Sequence, residues 1–104
     1  MKVVQVMPRA RARLYDMLVD RQAAIQANQR GTFVRAGAKR RNAANWKHKK
    51  YRGAVKLARE TGEGVTAKIR SSAAEDERQL LKSFLNFVDR YSGDRVSTIT
   101  IRYH

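Results

Sequence analysis

The chain contains no cysteine, which excludes a disulfide framework and any thiolate-held metal. It has no apolar run near the roughly 18 residues needed to span a bilayer. Its first residues, Met1-Lys2-Val3-Val4-Gln5-Val6-Met7-Pro8, lead into basic sequence. They lack the apolar stretch and small-residue cleavage site of a secretory signal. The expected compartment is therefore the cytoplasm, with no membrane attachment.

Catalytic groups are equally scarce. No phosphate-binding loop, dinucleotide fingerprint or Ser/His/Asp grouping is present. His48 and His104 are the two histidines and the only side chains whose ordinary pKa lies near neutrality. Carboxylates are few, 9 against 23 Lys and Arg, and their positions suit turns and helix ends. A two-metal site needs converging acids, so neither metal nor cofactor is expected, and a non-enzymatic role is favoured.

What the sequence does have is positive charge: +14 on 104 residues. Charge of that size works against compaction through self-repulsion, and a polyanionic partner would offset it by counterion release. The distribution is uneven. From Arg21 to Arg59 there is no carboxylate, while Arg30, Arg35, Lys39, Arg40, Arg41, Lys47, Lys49, Lys50, Arg52 and Lys56 fall between. Solvated faces normally mix signs, whereas long single-sign blocks are interaction segments or disordered. Trp46, His48 and Tyr51 lie inside the block. Tyr51 is expected in the core. For Trp46, base stacking and core packing are both open.

The length fits one domain, residues 1–104. Residues 2–7 read as a strand, with Pro8 opening a helix. Leu14, Met17, Leu18, Ala24 and Ile25 give that helix an apolar stripe to about Gln29, and Gly31 ends it. Residues 31–50 read as a basic loop or partly flexible segment, with a brief strand at Thr32–Val34 or helix formed on binding as further options. Two alternating runs around Thr61-Gly62-Glu63-Gly64 predict a β-hairpin over 51–70. Ser72 and Glu75 have capping-box spacing, and Glu75, Asp76 and Glu77 suit the positive end of a helix that runs through Leu80, Leu81, Phe84, Leu85 and Val88 to Gly93. Alternation of Ile99, Ile101 and Tyr103 with Thr98, Thr100 and Arg102 predicts a final strand.

The order β-α-(basic segment)-β-β-α-β is that of the split βαβ, ferredoxin-like α+β class: an antiparallel sheet with two helices on one face. The open face is expected to carry Arg52, Lys56, Thr66, Lys68, Arg70, Thr98, Thr100 and Arg102. It has no glycine-aromatic string of an RNA-recognition sheet, so contacts to DNA or RNA are expected to run to phosphates. The candidate nucleic-acid-binding set is Arg35, Lys39, Arg40, Arg41, Trp46, Lys47, His48, Lys49, Lys50, Arg52, Lys56, Lys68 and Arg70. Two alternatives accompany it. One is a small inhibitor or adaptor, of phage or plasmid type, docking an acidic protein. The other rests on the terminal Arg102-Tyr103-His104, which resembles the end of RelE-type mRNA interferases and implies metal-independent RNA cleavage. Those proteins place both helices before a continuous run of strands, and the order here differs.

Overall fold

The computed structural model describes residues 1–38 and 40–104; Lys39 lies outside the described residues. The elements are β1 (Lys2–Pro8), α1 (Leu14–Ala27), β2 (Phe33–Arg35), β3 (Ala43–His48), β4 (Ala54–Arg59), β5 (Val65–Arg70), α2 (Ala74–Ser92), a short 3₁₀ turn (Gly93–Arg95) and β6 (Val96–Tyr103). No helix among the described residues is long and apolar enough to cross a membrane.

All strands join one antiparallel sheet in the order β2-β3-β4-β5-β1-β6. The α+β class is as expected, and the hairpin expected over 51–70 is β4 and β5. The four-stranded ferredoxin-like sheet is not what forms: the sheet has six strands. The two extra ones come from the basic segment, which is mostly a β2–β3 hairpin and not a loop. Its alternation explains why. Phe33, Ala44 and Trp46 are buried and intervening residues are less so, the period-two pattern of a half-buried strand. The connecting turn uses Gly37 at φ +81, a left-handed conformation open to glycine.

One core runs through the domain. Val4, Val6, Phe33, Trp46, Val55, Leu57, Val65, Ala67 and Ile69 project from one sheet face against Leu14, Tyr15, Leu18 and Val19 of α1 and Leu80, Leu81, Phe84 and Val88 of α2. The sequence stripe on α1 is partly displaced: Gln22 is buried, Ile25 and Met17 are half-buried and Ala24 is exposed. Gln22 suits the interior because its Nε2 donates to Phe33 O at 3.1 Å and Gln26 Oε1 at 2.7 Å.

Several boundaries also differ. Pro8 does not open α1 but ends β1, opposite Val96 across a bulge. A turn with Ala10 and Arg11 at positive φ then delays α1 to Leu14. The Ser72–Glu75 capping box does not form. Extended backbone at Ala73 moves the helix start on by one residue, and no side chain caps it. Glu75, Asp76 and Glu77 still occupy the first turn, where they oppose the helix dipole.

Arg59 ties three segments together. Its Nη2 donates to Asp16 Oδ1 at 2.7 Å, its Nη1 to Glu63 Oε2 at 3.0 Å and its Nε to Asn42 Oδ1 at 3.1 Å. This links α1 to both hairpins.

Candidate nucleic-acid interface

No Asp or Glu occurs in any of the six strands; all nine carboxylates lie in helices, turns and the 3₁₀ segment. Strand alternation then sorts the strand residues onto two faces. The buried set faces the helices. The other face presents Val3, Gln5 and Met7 from β1, Asn45 and Lys47 from β3, Lys56 from β4, Thr66, Lys68 and Arg70 from β5, and Thr98, Thr100 and Arg102 from β6. Among the described residues this face carries no aromatic ring.

The register places the cations. Asn45 is opposite Lys56, Lys56 opposite Lys68, Lys68 opposite Val3, and Val3 opposite Arg102. These side chains form one row across five strands. With strands about 4.8 Å apart, Lys56 and Arg102 stand roughly 14 Å from each other at the backbone. Arg70 extends the row along β5, and Lys47 extends it along β3. Lys47, Lys56, Lys68, Arg70 and Arg102 are all exposed, and among the described residues none forms an ion pair. Glu63, Glu75 and Glu77 are engaged elsewhere: Glu63 with Arg13 and Arg59, Glu75 with Arg78, Glu77 with Lys2 and the N-terminus. Like charges directly opposite on adjacent strands are destabilising, so the Lys56–Lys68 pair is not explained by folding. Beside this row, Val3, Gln5, Thr66, Thr100 and Arg102 line a depression of about 140 Å³, with hydroxyl, amide and guanidinium groups able to donate to an anion.

The remaining sequence candidates separate from this face. Arg40 and Arg41 sit in the β2–β3 turn, exposed, where their carbonyls accept from the Tyr15 hydroxyl at 2.9 Å and from Arg59 at 3.3 Å. Lys49, Lys50 and Arg52 lie exposed in the β3–β4 turn. Arg52, expected on the open face, is held there by its backbone N–H, which donates to Asp76 Oδ2 at 3.3 Å. Arg35 is exposed at the end of β2 and pairs with Trp46, so its side chain does not belong to the open face. Arg102, expected on the open face from its shared phase with Thr98 and Thr100, lies there, although the candidate set did not include it.

Two candidates lie on the helix side of the sheet, away from the open face. Trp46 is fully buried, with ring centroids 5.4 Å from Phe33, 5.1 Å from Phe87 and 6.3 Å from Phe84. It is a core residue and cannot stack on a base. His48 is half-buried on the helix side. Its Nδ1 accepts the backbone N–H groups of Lys50 at 3.0 Å and Tyr51 at 3.4 Å, and its Nε2 meets Ser83 Oγ at 3.2 Å. Two donors at Nδ1 fix the neutral tautomer with hydrogen on Nε2. Burial, aided by the Lys50 charge, lowers its pKa. Through these contacts His48 organises the β3–β4 turn.

The terminal Arg102 and Tyr103 project to opposite faces of β6. No group of three or more His, Asp or Glu able to hold a metal occurs among the described residues. Comparison with known families, curated proteins and solved structures finds no match for this chain.

Proposed function

We propose that this is a non-enzymatic nucleic-acid-binding protein that lays the open face of its sheet on a phosphate backbone. The observation that carries the reading is the row of unpaired cations on a face free of carboxylates, with Lys56 set directly against Lys68. A phosphate between two such lysines converts a repulsion into two attractions, and each contact releases condensed counterions. The cations of the two turns at the β3 ends, Arg40, Arg41, Lys49, Lys50 and Arg52, extend the basic surface at the rim. In this reading β4-β5-β1-β6 is a ferredoxin-like unit extended by the β2–β3 hairpin, and the protein works in the cytoplasm. Without an aromatic platform, binding is to backbone and shape, with little sequence preference.

A filter or gel-shift titration against duplex DNA, single strands and structured RNA across salt tests this. Five face contacts give a slope of log affinity on log salt of about −4.5 for duplex DNA. Replacing Lys56, Lys68 and Arg70 by Ala makes the slope less negative by roughly 2.7. Replacing the rim set Lys49, Lys50 and Arg52 changes it by a similar amount only if the rim takes part. Absence of binding to every nucleic acid at low salt defeats the reading and turns attention to an acidic protein partner.

A further inference from the structure

The sheet ends on β6, whose outer edge has no neighbouring strand among the described residues. The phase of its hydrogen bonding follows from its last pair. The His104 N–H donates to Met1 O at 2.9 Å, and the Met1 amino group donates to His104 O at 3.2 Å. Such reciprocal pairs alternate with unbonded ones along an antiparallel ladder. Arg102, Thr100 and Thr98 therefore also turn their main-chain groups toward β1, and Tyr103, Ile101 and Ile99 turn theirs outward. The side chains of these outward residues lie on the helix side. Ile99 at 39% and Tyr103 at 71% are the large apolar side chains left exposed among the described residues. The cause is width. Two helices, each about 10–12 Å across, leave the outermost of six strands spaced about 4.8 Å apart only partly covered: Val96 and Ile101 pack against the core, while Ile99 and Tyr103 do not. Edge strands are normally kept short or blocked by lysine, proline or inward charge. β6 has eight residues and neither lysine nor proline.

We propose that β6 pairs antiparallel with β6 of a second copy of this chain across a twofold axis, joining two sheets into one. The strand is self-complementary. With the axis at Ile101, that residue meets its own copy, Ile99 meets Tyr103 of the second copy, and Thr100 meets Arg102. The outward main-chain groups face one another in this register, the apolar side chains cover one another, and the one charged side chain on the strand meets threonine. An acidic segment has less to recognise here, because Ser, Thr, Ile and Tyr dominate the edge. Since the axis of an antiparallel pair stands perpendicular to the sheet, both open faces look the same way, and the two cation rows share one surface.

The pairing is independent of what that surface binds, and salt separates the two. Two chains of net charge +14 repel, so salt strengthens the dimer by screening, whereas it weakens nucleic-acid binding. Sedimentation equilibrium on the full chain without nucleic acid is expected to show a concentration-dependent dimer that tightens with salt. Ile99→Lys changes an exposed side chain, leaves the circular dichroism spectrum unchanged and raises the dimer dissociation constant roughly tenfold or more. Ile101→Cys in this cysteine-free chain forms an intermolecular disulfide on oxidation, because directly opposed residues lie within disulfide reach; Ala24→Cys, exposed on α1, does not. A monomer at every concentration in high salt overturns the proposal. So does a dimer indifferent to Ile99→Lys, or crosslinking at Ala24→Cys as fast as at Ile101→Cys.

Discussion

Lys68→Glu separates what the open face contributes to folding from what it contributes to binding. Lys68 lies directly opposite Lys56 in the β4–β5 ladder, and both are exposed on a face without carboxylates. The substitution removes a like-charge cross-strand pair and creates an opposite-charge one. Each change is worth roughly 0.2–1 kcal/mol, so the variant is expected to be more stable by about 1 kcal/mol. For a domain of this size that raises Tm by roughly 4–8 °C, and the gain shrinks in high salt because the pair is exposed. Binding moves the other way. The phosphate contact of Lys68 is lost, and Lys56 is drawn to the new carboxylate. The slope of log affinity on log salt therefore becomes less negative by about 1.8. Urea unfolding at low and high salt reads the first effect, and duplex titrations read the second. A variant that is less stable, or one that keeps the wild-type salt slope, refutes the reasoning.

Trp46→Ala empties a fully buried site between Phe33, Phe84 and Phe87; a loss of about 3–5 kcal/mol is expected, measured by urea unfolding followed by circular dichroism, and selective loss of single-strand binding at unchanged stability would return Trp46 to the surface. Glu77 has its pKa held below the ordinary carboxylate value by the hydrogen bond from Lys2, with the N-terminal charge assisting. The unfolded chain thus binds the proton more readily, and this contribution is complete above the unfolded pKa, near 4.5, and is lost as pH falls below it. Glu77→Gln should flatten the acid limb of the stability curve as pH falls below the unfolded value near 4.5, with thermal unfolding on either side of it as the check.

The elements legible in the sequence are those where one pattern dominates. Ala54–Leu57 and Val65–Ile69 alternate around a glycine-bearing turn, and Leu80, Leu81, Phe84 and Val88 recur at helical spacing, so the hairpin, α2 and the burial of Phe84 could all be read. The β2–β3 hairpin was hidden by charge. Ala44, Trp46 and His48 alternate with Asn45, Lys47 and Lys49, yet lysines and arginines around them make the segment look solvated. Backbone pairing tolerates that charge because alternate residues face water. Gln22 was illegible because its fitness for the core depends on Phe33 O, eleven residues away. The outward apolar face of β6 was legible as a pattern but not as an exposure, since which strand the helices leave uncovered depends on the number of strands in the sheet. The open face was largely visible. What the sequence concealed is the Lys56–Lys68 opposition, which exists only once the register is set.

His48 offers a final discrimination, because its two readings predict opposite responses to acid. A histidine serving a phosphate patch is stabilised as the cation by its ligand, so binding strengthens as pH falls through its pKa. In this structure the neutral ring is the useful form. Nδ1 accepts from Lys50 and Tyr51, and a proton there would oppose two N–H groups and the nearby Lys50 ammonium. Burial lowers the folded-state pKa below the ordinary value of 6.5. Between the lowered folded pKa and 6.5 the unfolded chain holds the proton and the folded chain does not. Stability contributed by the neutral ring is therefore complete above 6.5 and is lost as pH drops through that window. His48→Asn keeps an acceptor oxygen near the position of Nδ1 but does not titrate. Its stability is expected to stay flat where the wild type declines, and its affinity for duplex DNA at neutral pH to match the wild type. Ring-proton NMR of the wild type should place the His48 titration below 6.5. A titration above 6.5 that moves further upward on adding DNA would instead make His48 a phosphate ligand, and the β3–β4 turn would then belong to the binding surface on both of its sides.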